Sequence, residues 1–125
     1  AVQDIDYQGQ FCDPPSAAFE RAGELYVQAA RRTGADPFIG RRLRRLLGEA
    51  GFIDAHDALV QPFGRQGDVV ELPSLTFEAI ADTVIRAGLA TADEAAQVAR
   101  ELRAFAQAPG TTLSLPRIFQ AWARR

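Results

Sequence analysis

The chain contains almost none of the residues that build disulfides and structural zinc sites. Its 125 residues include one cysteine, Cys12, one histidine, His56, and no methionine. A single cysteine cannot form an internal disulfide, and one cysteine with one histidine cannot supply the four ligands of a structural zinc site. The composition therefore excludes a disulfide framework and argues strongly against a structural zinc.

Long apolar runs and lysine are also absent. No apolar run approaches the roughly 20 residues needed to cross a bilayer, and no charged region followed by an apolar stretch marks a signal peptide. All fourteen basic residues are arginine and the net charge is −2, so no overall positive field attracts nucleic acid or an anionic membrane. We therefore expect a cytoplasmic protein that binds neither nucleic acid nor membrane.

What the chain does contain is the balance of a globular domain. Hydrophobic residues make up 47% of it and charged residues 24%, which is enough apolar surface for a real core. The first residues, 1–7, already form a strand-like run with nothing ahead of them. We expect the sequence to be a piece of a longer protein, although removal of an initiator methionine would also account for this beginning.

Hydrophobic periodicity and end signals predict an alternation of strands and helices. Ser16 is a helix N-cap, Thr91 with Glu94 forms a capping box, and Asp36 followed by Pro37 begins another helix. The predicted strands cover 1–7, 52–61 and 111–123, and the predicted helices cover 16–32, 36–50, 75–88 and 91–108. This order of elements predicts an α/β fold without internal repeats or linkers.

The last two predicted helices carry the strongest apolar stripes. The first stripe consists of Phe77, Ile80, Ala81, Val84 and Ile85, and the second of Ala95, Val98, Ala99, Leu102 and Ala106. Such spacing is typical of helices that bury one face in a core. On the last predicted strand we also expect Trp122 to be a core residue.

Four segments of the chain resemble the end of a known enzyme family. They are Gln3-Asp4-Ile5-Asp6, residues 34–43 (GADPFIGRRL), residues 49–52 (EAGF) and residues 114–122 (SLPRIFQAW). Together they are similar to the C-terminal part of bacterial small-molecule methyltransferases of the class I, S-adenosylmethionine-dependent type. The similarity extends over essentially the whole chain, and the spacing of the segments is more convincing than any one of them.

The resemblance implies a specific fold. In that family the sheet order is 3-2-1-4-5-7-6 with strand 7 antiparallel, and this chain would supply strands 5, 6 and 7. We therefore expect residues 1–125 to form a single substrate-side portion of a Rossmann-like methyltransferase domain. It would contain three strands in the order 5-7-6 with about four helices, the pair 75–108 being an insertion between strands 6 and 7.

The resemblance also implies which function is missing from these residues. The family binds S-adenosylmethionine through a glycine-rich loop after strand 1 and acidic residues that end strands 2 and 3, and this chain contains no G-x-G. We therefore expect a portion of a methyltransferase for a small-molecule acceptor, with no cofactor bound to this chain and no activity in isolation. The alternative is a stand-alone binding or dimerisation module without catalysis.

Candidate substrate-binding residues follow the first strand. Asp4 and Asp6 lie near its carboxyl end, where open α/β sheets place their ligand crevice, and Tyr7 and Phe11 follow as possible walls of an apolar pocket. The acceptor pocket of the parent enzyme would lie near these four residues. The competing interpretation is that the two aspartates solvate a strand end and that the aromatics belong to the core.

Asp36 and Arg41 form a second candidate pair at the turn into the second helix. A helix N-terminus with a nearby arginine can bind a carboxylate or phosphate of a substrate. Alternatively, Asp36 is an ordinary N-cap ahead of a proline. The arginines that follow surround the Leu43 and Leu47 stripe as solvated faces, and no aromatic residue interleaves them as in nucleic-acid-binding patches.

The first strand also predicts an association surface. Its outer edge, residues 1–7, would lack a neighbour, and no lysine or proline interrupts this run, so it would recruit another strand. The helix 16–32 would expose apolar surface, with Phe19 and Tyr26 as the expected contributors. We therefore expect a homodimer formed through the edge of the first strand or through this helix.

Overall fold

The computed structural model describes all residues 1–125 as a mixed α/β structure with four α-helices and two small antiparallel sheets. The strands are β1 (Val2–Asp6), β2 (Cys12–Asp13), β3 (Ile53–Val60), β4 (Phe63–Gly64), β5 (Thr112–Ser114) and β6 (Arg117–Arg124). The α-helices are α1 (Ala17–Arg32), α2 (Leu43–Glu49), α3 (Asp68–Arg86) and α4 (Ala92–Gln107). A 3₁₀ turn, Ile39–Arg42, leads into α2.

The first sheet has the order β1-β6-β3, with β6 antiparallel to both neighbours. Asp6 lies opposite Arg117, and Leu59 lies opposite Phe119. The predicted arrangement, in which the last strand lies antiparallel between the first and the middle strand, is confirmed. Because β1 pairs only with β6 in this sheet, it is an edge strand.

The second sheet, β2-β5-β4, was not predicted. The predicted strand at 111–123 is divided at Leu115 and Pro116, so β5 belongs to the second sheet and β6 to the first. The Gln61 amide donates to the Gly9 carbonyl at 2.8 Å and reaches the Leu115 carbonyl at 3.4 Å, beside this crossing. Since β2 and β4 have two residues each, neither produces a detectable alternation of hydrophobicity.

The hydrophobic core lies among three helices. α1, α3 and α4 pack against one another, and β5 packs against α3. The predicted stripes form this core, in which Phe77, Val84 and Leu102 are fully buried. We call α1, α3, α4 and the second sheet the helical lobe. The first sheet, with the 3₁₀ turn and α2 on it, is the sheet lobe.

Helix beginnings were predicted well where a side chain caps them. The Ser16 hydroxyl accepts from the Phe19 amide at 3.2 Å, and the Thr91 hydroxyl accepts from the Glu94 amide at 3.1 Å. α3, in contrast, begins at Asp68 and not at residue 75, and Pro73 lies inside it. Its N-cap, Gly67, offers no side chain, so the earlier start had no cap signal.

The predicted helix 36–50 is shorter and irregular. Its first part is the 3₁₀ turn, which lies directly on β1. Gly40 is necessary there because a Cβ at this position would lie 2.8 Å from the Ile5 carbonyl oxygen. The close approach of the turn to the strand, and not an apolar stripe, therefore determines the start of this segment.

Two predictions about aromatic residues are wrong. Trp122 is 45% exposed and stacks on His56, with ring centroids 5.9 Å apart, because this side of β6 is not covered by a helix. Phe19 is buried in the helical core and does not contribute to an exposed patch on α1. The sequence does not show which neighbours cover a face, and here α3 and α4 cover the α1 face that carries Phe19.

None of the helices combines the length and the hydrophobicity that a bilayer crossing requires.

Candidate functional site

A groove of about 180 Å³ lies at the carboxyl end of β1, where the two lobes meet. We call it the interlobe groove. Its lining residues are Ile5, Tyr7, Gln10, Tyr26, Leu72, Pro73, Thr76, Leu115 and Pro116. They come from β1 and the segment after it, from α1, from α3 and from the crossing between β5 and β6, so the groove depends on the tertiary fold.

Two stacked tyrosines form one wall of this groove. The rings of Tyr7 and Tyr26 lie 4.0 Å apart between centroids, at an interplanar angle of 12°. Burial raises the pKa of the Tyr7 phenol to about 12, and the neighbouring Tyr26 adds to this shift. At neutral pH the Tyr7 hydroxyl is therefore protonated and acts as a hydrogen-bond donor or acceptor, not as a base.

Gln10 is positioned by a glycine in α1. A Cβ at Gly23 would lie 2.6 Å from the Gln10 side-chain nitrogen, so the absence of a side chain at Gly23 leaves room for the Gln10 amide against α1. A glycine in the middle of a helix costs roughly 1 kcal/mol relative to alanine. Gln10 also lines a wider cavity of about 500 Å³ along α1, together with Phe19, Glu20 and Arg31 among others.

Asp6 and Arg41 form an ion pair beside the groove. Arg41 Nε lies 2.8 Å from Asp6 Oδ2, and Arg41 Nη2 lies 2.7 Å from Asp6 Oδ1, so the contact is bidentate. The Asp6 side chain is 1% exposed, whereas that of Arg41 is 43% exposed. Arg41 also donates to Gln8, and Arg117 lies 4.0 Å from the same carboxylate. The hydrogen bonds that Arg41 donates to the Asp6 carboxylate raise the pKa of Arg41, which stays cationic.

This pair explains how a carboxylate is buried at a strand end. Burying an unpaired charge is costly, and the bidentate guanidinium supplies both the opposite charge and two directed hydrogen bonds. The Tyr7 backbone amide donates to the Pro37 carbonyl at 2.9 Å and joins the same two segments. Asp6 and Arg41 therefore hold the end of β1 against the 3₁₀ turn, and their charges face each other.

Asp36 lies in the turn just before the 3₁₀ turn, whose N-cap is Phe38. Its Oδ1 accepts from the Phe38 amide at 2.9 Å, and its Oδ2 accepts from Arg42 at 2.6 Å. The hydrogen bond from Phe38 is the main cause that lowers the pKa of the Asp36 carboxyl, and Arg42 adds to it. Asp36 is therefore not the N-cap residue itself, and its carboxylate is occupied by contacts within its own turn and with Arg42.

Asp4 and Phe11 lie outside the groove. Asp4 is exposed, and its carboxylate accepts from the Ile5 amide at 2.8 Å. Phe11 is half exposed, and its amide donates to the Ser114 hydroxyl at 2.7 Å. Of the six residues predicted to bind substrate, the structure thus places Tyr7 in the groove wall and Asp6 with Arg41 beside it. It does not bring Asp4, Phe11 or Asp36 into the lining.

Several lining residues were missed by sequence reasoning. Gln10, Thr76 and Leu115 are distant in sequence and carry no common motif, so nothing links them before the chain folds. Tyr26 was assigned to an exposed helix face, whereas it is half-buried against Tyr7. The one available signal was Gly23, a glycine inside an otherwise regular helical pattern, which indicates a close packing contact.

The arginines of the 3₁₀ turn and α2 are individually paired with carboxylates. Arg42 pairs with Asp36 as described, Arg44 lies 3.5 Å from Asp57, and Arg45 pairs with Glu49. These contacts are at the surface and agree with solvated helix faces. No group of three or more histidine, cysteine, aspartate or glutamate side chains is placed to hold a metal ion.

No protein-family model matches this chain, and no curated protein matches it.

Proposed function

We propose that this chain is the acceptor-side portion of an S-adenosylmethionine-dependent methyltransferase and that the interlobe groove receives the small molecule to be methylated. The observation that carries the proposal is the strand order β1-β6-β3, with β6 antiparallel to both neighbours. It is the order 5-7-6 that the sequence resemblance implies. In the cytoplasm, where we place the protein, this portion would act together with a donor-binding half.

The position of the groove supports the same proposal. Open α/β sheets bind their ligands outside the carboxyl ends of the strands, and the interlobe groove lies at that end of β1. Its walls are apolar or uncharged, so a bound acceptor would be held away from water. Holding and desolvating a nucleophile is the main contribution that a protein makes to transfer of a methyl group.

The residues of the groove do not fit the methyl donor itself. The lining contains neither a glycine turn for the amino-acid part of S-adenosylmethionine nor a carboxylate for its ribose hydroxyls. The nearest buried carboxylate, Asp6, is paired with Arg41. We therefore assign these 125 residues the acceptor side only, and the donor would bind to residues outside them.

The proposal is tested on the full product of the reading frame that encodes this chain. That product should bind S-adenosylmethionine with a Kd in the micromolar range, about −8 kcal/mol, and transfer a labelled methyl group to a small-molecule acceptor. The 125-residue chain, as the matched control, should do neither in a calorimetric titration and a label-transfer assay. If the full product failed to bind the donor, or if the short chain bound it, the proposal would be wrong.

A second function is favoured by one observation. β1 has a hydrogen-bonded neighbour on one side only, and the first sheet exposes the apolar side chains of Val2, Val60 and Trp122. Open sheet edges recruit further strands. These features support a dimerisation module in which two copies pair through residues 1–7. In the methyltransferase proposal this edge of β1 lies next to strand 4 of the donor-binding half, so a dimer through residues 1–7 is an alternative that applies to the 125-residue chain alone.

A further inference from the structure

The interlobe groove differs in charge from the rest of the molecule. Charged residues make up 24% of the chain, yet none of the nine residues that line this groove is charged. The charged pair beside the groove, Asp6 with Arg41, is joined by two hydrogen bonds. A ligand in the groove would therefore meet neither a counter-ion nor a repelling charge.

Four of the residues that line the groove carry a polar group on their side chain. These groups are the Gln10 amide, the Thr76 hydroxyl and the phenols of Tyr7 and Tyr26. The neighbouring hydrogen-bond network joins Gln8 to Arg41 and Gln61 to Gly9, and it does not use these four groups. No side-chain polar atom that is buried from solvent lacks a partner, so the four groups are open to solvent or to a ligand.

The size and walls of the groove limit the shape of its ligand. A volume of about 180 Å³ corresponds to about six waters at about 30 Å³ each, which is room for one ring with small substituents. Ile5, Leu72 and Leu115 supply aliphatic surface, and the Tyr7 and Tyr26 stack supplies flat aromatic surface. Aromatic rings pair well with such a surface in stacked or edge-to-face geometry.

We propose that the interlobe groove binds uncharged, flat, mostly apolar molecules of about one ring that carry one or two hydrogen-bonding groups. Molecules of the same shape with a carboxylate or an ammonium group are rejected, because their charge would lose water and find no partner. The identification of such molecules as the methyl acceptors rests on the proposed function. The binding preference itself does not require methyl transfer.

Three probes of one shape test the preference: para-methylbenzyl alcohol, para-methylbenzoate and para-methylbenzylamine. Each is titrated into the ¹⁵N-labelled 125-residue chain, and amide shift changes are followed by NMR. The alcohol should bind with a Kd on the order of 1 mM and shift the amides of Tyr7, Gln10 and Thr76. The other two probes should bind at least about 10-fold more weakly, a difference of about 1.4 kcal/mol.

A charge placed at the rim of the groove gives a sharper test. Leu72 is 44% exposed and lines the groove, so Leu72→Lys should be tolerated by the fold. Leu75→Lys is its matched control, because Leu75 lies on the same helix, is 56% exposed and lines a separate cavity beside Arg103. Leu72→Lys should strengthen para-methylbenzoate binding about 5-fold, since an exposed ion pair is worth at most about 1 kcal/mol, and Leu75→Lys should not change it.

The outcomes separate this inference from the proposed function. Equal binding of the three probes by the unaltered chain would overturn the inference, as would equal effects of the two lysine variants. Binding of none of the probes would overturn it as well. A full product that transfers methyl groups to charged acceptors would refute the inference and leave the proposed function standing. Selective binding of the alcohol without any methyl transfer by the full product would support the inference and refute the proposed function.

Discussion

Replacement of Arg41 by alanine should destabilise the protein far more than its exposed position suggests. The substitution leaves the Asp6 carboxylate, whose side chain is 1% exposed, without its bidentate partner. Two unit charges about 4 Å apart attract each other by about 4 kcal/mol at an effective dielectric constant of about 20. Removing one partner of a buried pair typically costs about 3–5 kcal/mol.

For Arg41→Ala we expect a loss of stability at the lower end of this range of about 3–5 kcal/mol. Arg41 is itself 43% exposed, and Arg117 remains 4.0 Å from the Asp6 carboxylate as a weaker partner. We expect Arg41→Ala to lower the free energy of unfolding by about 3 kcal/mol. In urea denaturation followed by Trp122 fluorescence, this loss corresponds to a midpoint lower by about 1.5–2 M, with an m-value of about 1.5–2 kcal/mol/M.

Two controls make the prediction specific. Arg42→Ala removes a neighbouring arginine whose partner, Asp36, is partly exposed, and it should cost less than about 1 kcal/mol. The double variant Asp6→Asn with Arg41→Ala removes the stranded charge and should be more stable than Arg41→Ala alone. The reasoning is refuted if Arg41→Ala and Arg42→Ala have equal effects, or if the double variant is less stable than the single one.

The remaining predictions concern pH, the core and association. The pKa of Tyr7 is raised to about 12, so the stability that its neutral form provides should be complete below pH about 10 and be lost between about 10 and 12, by on the order of 2–3 kcal/mol. Unfolding curves recorded across this pH range measure the loss, and Tyr7→Phe is the control that should not show it. Leu102→Ala should lower the free energy of unfolding by about 2–5 kcal/mol because its side chain is buried in the helical core, whereas Arg44→Ala should be nearly neutral. Equal losses in denaturant melts of the two variants would disprove the assignment of these faces. Sedimentation at micromolar concentration should show a dimer, and Gln3→Pro in the edge strand should dissociate it; a monomer would contradict pairing through residues 1–7.

The fold could be predicted from the sequence where its signals are local. The caps at Ser16 and Thr91 and the apolar stripe of α3 depend on residues three or four positions apart, and these elements were found. β2 and β4 are stable only because β5 lies between them, and two residues carry no pattern of their own. Their existence is a tertiary effect, which local spacing cannot show.

The site was less predictable for the same reason. Tyr7 could be predicted because it is an aromatic residue at the carboxyl end of the first strand, where α/β folds place their ligand crevice. That Asp6 is neutralised by Arg41, 35 residues later, could not be inferred, because both residues had independent surface interpretations. Gln10 and Tyr26 come to line one groove only when α1 packs beside the end of β1, where Gln10 lies close to Gly23 and Tyr26 stacks on Tyr7.

The crossing at Leu115 and Pro116 makes one wall of the interlobe groove rigid. A proline holds its own φ near −65° and restricts the residue before it, so the crossing is stiff. Gln61 holds it further through the Leu115 carbonyl. Both residues of the crossing line the groove, so this wall has its final shape before a ligand arrives. Little conformational entropy is then lost on this side when a molecule binds, and affinity depends mainly on how well its shape matches a fixed wall.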